Sequence, residues 1–461
     1  MQQKLTVSVT DFGAVPNSDA VQTHAFQDAI DHAFLSGGGE GQVPSCSYIL
    51  GDIRIRSNVT LHLLEDAVLI GSKNPKDYCN ILSDKLEPLP EQQATDAHWY
   101  RTSEWIKMGG GFKVHLYTAG SYWNHGMIRA VYAENIAIIG EKGSAIDGNR
   151  VFDPEGEEGY RGPHTINMHF CKNITFRGYT VRYSSNWAHA IFQSENIRFE
   201  NLNVYAGHDA LHVRACSNIE MIGCTLITGD DCVAGFDNIN VLVKNCEISS
   251  ACSAFRFGGY NILVEDCHIY GPCKYQFRGS FTMEEKIAGV DFSNSPTARN
   301  NMLSFFTNFV TNDLPPRHEP GKIVFRNCKV EGADRLMHLN LSGNEPWQIG
   351  HPPKDITFEN ITAKDISMGV YCYGDGEVPV TLNFKNVEYS VRAGSEFDSV
   401  FKVANFDEIN FDNVKITGFK GDCLIKTWSD GGAVNINGFK CDLKENGLIK
   451  KSDEEFSCRA I

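Results

Sequence analysis

Between residues 173 and 264 one four-residue pattern returns five times: Asn173-Ile174-Thr175-Phe176, Asn196-Ile197-Arg198-Phe199, Asn218-Ile219-Glu220-Met221, Asn240-Val241-Leu242-Val243 and Asn261-Ile262-Leu263-Val264. Successive starts lie 23, 22, 22 and 21 residues apart. Weaker copies follow at Lys322-Ile323-Val324-Phe325, Asp355-Ile356-Thr357-Phe358, Thr381-Leu382-Asn383-Phe384, Glu408-Ile409-Asn410-Phe411 and Ala433-Val434-Asn435-Ile436. Earlier ones stand at Asn58-Val59-Thr60-Leu61 and Asn135-Ile136-Ala137-Ile138. A short alternating strand that returns every 22 residues or so is what the coils of a parallel β-helix require. Each coil then stacks on the last at strand spacing, about 4.8 Å, and equivalent inward residues form ladders along the axis. A leucine-rich repeat has a similar period but needs a Leu-rich consensus, which is absent here. The expected fold is all-β: a right-handed parallel β-helix of about ten or more coils.

The rest of the chain is read around this repeat. Cys224, Cys246, Cys267 and Cys328 each follow a repeat start by six residues. With no Cys-x-x-Cys pair in the sequence, they read as a buried thiol ladder rather than a metal or redox cluster. From Asp19 to Leu35, the residues Ala25, Phe26, Ile30, Ala33 and Phe34 recur at helical spacing, and Gly37-Gly38-Gly39 ends the run. A helix there caps the first coil and covers an open sheet edge. Residues 1–461 are therefore expected as one β-helix domain. It comprises a cap region at 7–45, site-bearing coils at 50–280, a long loop at 281–320 and further coils at 321–461. The stretch 80–130 is likewise read as a loop, and both loops are candidates for site walls.

Composition narrows the function. The 461 residues carry a formal net charge of −15, which argues against nucleic acid or an anionic membrane as a partner. No run of about 18 apolar residues is present to span a bilayer. Met1 to Phe12 lacks the apolar core of an export signal. Together with fifteen cysteines, an odd number in a long chain, this gives the expectation of reduced thiols and a cytoplasmic location.

Five further stretches carry a family resemblance: Asp11-Phe12-Gly13-Ala14, Arg56 to Leu61, Arg161-Gly162-Pro163-His164, Ser185-Asn186-Trp187 and Gly229-Asp230-Asp231-Cys232. Over most of residues 7–280 the chain resembles the polygalacturonases, glycoside hydrolase family 28. The resemblance implies a right-handed parallel β-helix that hydrolyses pectic polysaccharides with inversion at the anomeric carbon. Members carry Asn-Thr-Asp, then Gly-Asp-Asp, Gly-His-Gly and Arg-Ile-Lys. Here the first becomes Gly207-His208-Asp209 and keeps its aspartate, and the second is intact at Gly229-Asp230-Asp231. The third becomes Cys252-Ser253-Ala254 and loses its histidine, while the fourth becomes Gln276-Phe277-Arg278. The acidic groups carry over; the substrate-contacting groups depart.

Inverting hydrolysis needs a protonated carboxylic acid at the leaving oxygen. It also needs a carboxylate that activates water from the opposite face, roughly 6.5–9.5 Å away. Asp209 and Asp231 are 22 residues apart, one repeat, and neighbouring carboxylates raise one another's pKa, so that one keeps its proton. The resemblance assigns the acid to Asp230 and the water to Asp209 and Asp231. Strict strand alternation would turn Asp209 and Asp231 inward with Leu211 and Val233, so a bend after each is required. His212, Ala234, Arg256 and Arg278 follow one another by 22 residues. They are expected side by side on the outer face, with Arg256 and Arg278 able to grip a sugar carboxylate or to bridge to nearby acids. His208, His212 and His189 are within reach of sugar hydroxyls, Gln276 is a further substrate-binding candidate, and Trp187 either stacks on a sugar or packs.

The reading is an exo-acting hydrolase of a short, possibly uronic-acid-containing oligosaccharide, with no metal and no cofactor. A lyase or epimerase on the same scaffold, using the acidic cluster with Arg256 as base, and a non-catalytic glycan-binding β-helix remain the alternatives.

Overall fold

The computed structural model describes residues 5–78, 125–288, 295, 297–308, 318–341, 348, 352–428, 432–441, 447 and 449–451. Contacts divide the chain into two units. The first is Met1–Glu220 with Arg278–Thr297; the second is Met221–Phe277 with Ala298–Ile461.

In the first unit Leu5–Ser8 pairs in parallel with the next strand, Gly39–Val43, and from there strands three apart in the chain pair in parallel, which makes three strands one coil. One face runs Leu5–Ser8, Gly39–Val43, Val59–Leu63, Glu134–Gly140, Lys172–Arg177 and Glu195–Glu200. A second runs Ile53–Arg54, Gly126–Val131, His164–His169, His189–Phe192 and Leu211–Arg214, and a third runs Cys46–Leu50, Ala67–Gly71, Ala145–Asp147, Thr180–Arg182 and Asn203–Ala206. Register puts Ile136, Ile174 and Ile197 in line, all buried, and Phe176 stacks on Phe199 with ring centroids 5.0 Å apart. The alternation seen in the sequence is thus the inside-outside alternation of one strand per coil.

The recurring asparagine has its own cause. Asn58, Asn135, Asn173, Asn196 and Asn218 all sit at the corner before this face with φ between 55° and 62°, a left-handed conformation that Asn tolerates better than other non-glycine residues. Each side-chain amide donates to the carbonyl of the previous one: Asn135 to Asn58 at 2.9 Å, Asn173 to Asn135 at 2.8 Å, Asn196 to Asn173 at 2.8 Å and Asn218 to Asn196 at 2.9 Å. Replacing Asn196 with Ala removes the amide links and keeps a Cβ in the left-handed region, an expected cost of about 2 kcal/mol. Asn196→Gly loses only the amide links and should cost about half as much in urea unfolding.

The second unit is built in the same way, with some strands running on through a corner, as in Val233–Lys244, Ser253–Glu265, Pro353–Ile366, Val380–Val391 and Phe406–Thr417. Phe325, Phe358, Phe384 and Phe411 stack in succession at 5.2, 5.2 and 5.5 Å. The weaker repeats lack Asn at the first position because the ladder has moved to the next corner: Asn327, Asn360, Asn386 and Asn413 are left-handed and bonded amide to carbonyl at 2.9, 3.0 and 2.9 Å. Cys224, Cys246, Cys267 and Cys328 form no disulfide and are buried, as expected of a thiol ladder, with the Cys246 amide directed at the Cys267 sulfur, 3.5 Å away.

At the N-terminus the helix spans Thr23–Leu35 and buries Phe26, Ala29, Ile30 and Ala33. Its Gln27 side chain bonds both ways with the backbone of Arg54, at 2.8 and 3.1 Å, as a neighbouring strand would. Gly37 and Gly38 end it with positive φ, donating to Phe34 and Ala33. Among the described residues no helix is long and apolar enough to cross a membrane. Of the stretches expected as loops, 80–124 lies outside the described residues, and the end of 80–130 belongs to the strand Gly126–Val131. The 281–320 stretch holds a short helix, Met283–Ile287, and a full strand, Met302–Thr307. That strand was hidden because Asn300-Asn301 is followed by Met302 and not by the β-branched residue of the repeat.

Candidate active site

In the first unit, Asn203–Ala206 ends before Gly207-His208-Asp209, and the next strand begins at Leu211. Bends at Gly207 and His208 break the alternation, and Asp209 follows them as a buried residue. Its carbonyl accepts from the Ala188 amide at 2.9 Å, and its Oδ2 lies 2.9 Å from Nδ1 of His212. His212 in turn lies flat against Trp187, with centroids 3.7 Å apart and an interplanar angle of 6°. His164 continues the stack at 5.1 Å. Trp187 therefore packs, answering the question left open by the sequence. His212 is buried with Asp209 rather than standing in an outer row.

His189 is interior. Its Nδ1 bonds the Ala210 carbonyl at 3.2 Å, its Nε2 bonds the Tyr179 hydroxyl at 2.9 Å, and burial pushes it down to about 4. It contacts no sugar-accessible surface, which corrects the expectation.

Beside His208 lies a charged cluster that the sequence reading did not assemble. Arg161, with 1% of its side chain exposed, donates to Glu157 Oε2 at 2.9 Å, to Asn186 Oδ1 at 3.0 Å and to Glu158 Oε1 at 3.1 Å. Arg278 donates to both oxygens of Glu158, at 2.8 and 2.9 Å. Lys286 lies over the Tyr160 ring, 4.8 Å from its centroid. Burial, then Arg161, Arg278, His164 and Lys286, hold His208 well below its ordinary pKa, so it is neutral and can accept or donate one hydrogen bond.

Burial also raises Glu157 from 4.5 to about 7 against the pull of Arg161 and Arg278. A carboxyl raised by folding binds more protons folded than unfolded, so its contribution is present below about 4.5 and lost as pH rises to about 7. Glu157→Gln should therefore gain stability relative to the parent between pH 5 and 8, measured by urea unfolding at each pH.

In the second unit, Thr225–Thr228 ends before Gly229-Asp230-Asp231, and the next strand starts at Val233. The turn is held by its backbone: the Asp230 carbonyl accepts from Thr228 Oγ1 at 2.7 Å and from Ser250 Oγ at 2.6 Å. Asp231 Oδ1 accepts from the Ser253 amide at 3.1 Å, and its Oδ2 lies 3.6 Å from Arg256 Nη1. Thus the Cys252-Ser253 turn contributes a backbone amide to Asp231, and Arg256, 29% exposed at its side chain, bridges to an acid.

Register gives Arg256 the neighbours Ala234 and Thr307. Arg278 is not the next member of that column, a correction with a plain cause: the chain leaves the coil after Tyr270 and returns at Met302. Arg278 instead opens a short turn, Arg278–Ser280. Gln276 donates to the Ala298 carbonyl at 2.7 Å and ties the two ends of that excursion. Arg299 closes it, donating to the Ala251 carbonyl at 2.6 Å with its guanidinium 4.0 Å over the Phe277 ring. Nothing in the sequence spacing signals Arg299, whose position depends on where the excursion returns. Glu157 and Glu158, by contrast, stand four and three residues ahead of Arg161 and were open to notice.

Asp230, Asp231 and Cys252 offer ligand atoms within 4.8 Å of one another. Burial, then Asp231 and Asp230, hold the Cys252 thiol well above its ordinary range, and the Arg299 cation feels both Cys252 and Asp230. Two carboxylates, a protonated thiol and a guanidinium make a poor donor set for a metal ion.

Residues 102–270 match the model of glycosyl hydrolases family 28. A probable polygalacturonase of Vitis vinifera is 26% identical over 253 residues, covering 51% of this chain and 46% of that protein. A polygalacturonase of Brassica napus is 22% identical, covering 23% of this chain and 32% of that one. The matches thus span less than half the length of these curated relatives. Among solved structures, the family 28 exopolygalacturonase of Yersinia enterocolitica gives a TM-score of 0.60 at 16% identity, covering 95% of this chain and 79% of that one. A hyperthermoactive exopolygalacturonase from Thermotoga maritima gives 0.61 at 16% identity, with 90% and 92% covered. These two likenesses concern the fold, the parallel β-helix.

Proposed function

We propose that this chain, polygalacturonase-like and carrying the family 28 pattern in its residues 102–270, hydrolyses a glycosidic bond in a pectin-type oligosaccharide. The observation that carries the reading is the Asp230-Asp231 turn. One carboxylate, Asp231, is fixed by an amide and a guanidinium. Its neighbour Asp230 is held through its backbone carbonyl by the Thr228 and Ser250 hydroxyls and lies buried beside Cys252. Two adjacent buried carboxyls raise one another's pKa, which suits an ionised base beside a protonated acid. Asp230 is assigned as the acid. Asp231 and Asp209 are assigned to the water, on the one-repeat interval between them and the family pattern.

Chain-end cleavage is part of the proposal; both structural relatives named above are exopolygalacturonases. Incubation with a defined pectic oligomer should release monosaccharide and new reducing ends without ultraviolet-absorbing unsaturated product. Unsaturated ends would favour the lyase alternative, and mid-chain fragments would remove the exo assignment.

The sugar's charge depends on Arg278, which we assign to a substrate carboxylate. Since Glu158 already occupies that guanidinium, a uronide must compete with it. Glu158→Gln is expected to lower KM for a uronic-acid substrate about tenfold, an exchange worth about 1.4 kcal/mol, with little change for its methyl ester. Equal effects on acid and ester would detach Arg278 from sugar recognition.

A further inference from the structure

Asp209 is held from two sides within the first unit. The Ala188 amide fixes its backbone carbonyl at 2.9 Å, and His212 Nδ1 meets its carboxylate Oδ2 at 2.9 Å. Both side chains are nearly closed to solvent, with 5% of His212 and 6% of Asp209 exposed. His212 cannot turn: Trp187 lies parallel to it at 3.7 Å, and Phe192 closes on the same ring at 6.2 Å. Trp187 is pinned in turn by the Asn186 side chain, whose Oδ1 accepts the Trp187 amide at 3.0 Å, and by His164 stacked on its ring at 5.1 Å.

A histidine that only filled space in this stack would have no reason to aim Nδ1 at a carboxylate oxygen. With Nδ1 as the donor, the imidazole takes one defined tautomer and engages Oδ2 of Asp209, which fixes the plane of that carboxylate. We propose that His212 is a positioning residue: clamped by Trp187, it donates its Nδ1 hydrogen to Asp209 Oδ2 and so fixes the orientation of the carboxylate assigned to the hydrolytic water. The inference rests on the hydrolase reading above for its consequence, though not for its geometry. Orientation errors of about 1 Å at a reacting group cost on the order of 10²-fold in rate, and that is the size of effect at stake.

The side-chain amide nitrogen of Asn falls where Nδ1 of His lies, whereas that of Gln falls nearer Nε2. In His212→Leu, kcat should drop about 10²-fold with KM within about twofold. His212→Asn should recover most of that loss, and His212→Gln should not. Thermal unfolding of each variant separates loss of fold from loss of orientation. Leu, Asn and Gln variants that fold equally well and are equally impaired, or a Leu variant that keeps its kcat, would overturn the proposal. Independently of any substrate, nitrogen-15 spectra of the histidine-labelled protein should show His212 as the Nδ1-protonated tautomer, and Asp209→Asn should perturb that resonance selectively. The Nε2-protonated tautomer in the parent would refute the hydrogen bond itself. A parent enzyme that turns over no glycan, but shows the Nδ1 tautomer, would sink the hydrolase reading and the catalytic use of this contact while leaving the contact standing.

Discussion

Asp230→Asn should lose about 10³-fold in kcat, the range expected when a general acid is removed, with no change in unfolding. The two halves of this expectation have separate grounds. The turn that carries Asp230 is held by its carbonyl oxygen, which accepts from Thr228 and Ser250 hydroxyls, and these bonds do not involve the side chain. Asn is nearly isosteric and cannot supply a proton to a leaving oxygen. Asp231→Asn should be impaired for a different reason: its amide can still meet the Ser253 N–H through its oxygen, but it forfeits the Arg256 ion pair and cannot serve as a base. Release of reducing ends, read beside a melting curve for each variant, distinguishes these losses from misfolding. Wild-type rates in Asp230→Asn would remove the acid assignment.

The largest expected effect on stability is at Arg161. It is one of the largest fully buried side chains in the described residues, and it holds Glu157, Glu158 and the Asn186 carbonyl together. Arg161→Met keeps much of the apolar stem but leaves Glu157 buried without its main cation. Losing the cation that Glu157, Glu158 and Asn186 share, unlike losing Glu157 alone, which leaves Arg161 paired with Glu158, costs about 3–5 kcal/mol. Removing both charges, in Arg161→Met with Glu157→Gln, should return a large part of that loss, because the penalty lies in the orphaned charge and not in the absence of the pair. Urea unfolding of the two single variants and the double variant tests this directly, and a double variant no more stable than Arg161→Met would contradict it.

The coils were legible because their cause is local and periodic. Each strand buries alternate residues, and each left-handed corner selects Asn, so the same letters return at the same interval. Where the left-handed corner moved to Asn327, Asn360, Asn386 and Asn413, the first-position Asn disappeared and the template weakened, although the fold did not. The aspartates were legible for the same reason, since Asp209 and Asp231 fall one repeat apart. The arginine column failed where periodicity failed. Counting 22 residues past Arg256 reaches Arg278, but the chain between Tyr270 and Met302 leaves the coil, and Thr307 takes the place beside Arg256. Contacts made by such an excursion, Arg278 to Glu158 and Arg299 to the Ala251 carbonyl, join residues far apart in sequence and leave no periodic trace. His212 was found for its spacing and assigned to the sugar; its partner is Asp209, a contact set by the bend at Gly207-His208 rather than by any interval.

The stereochemistry of the first product tests the central claim most directly. A defined pectic oligosaccharide is mixed with the protein in an NMR tube, and the anomeric signals of the newly released reducing sugar are followed before they equilibrate. Two carboxylates working through a water should deliver the inverted anomer first, and Asp230→Asn should deliver none. Early appearance of the retained anomer, or of an unsaturated sugar, would contradict an inverting hydrolase built on Asp209, Asp230 and Asp231.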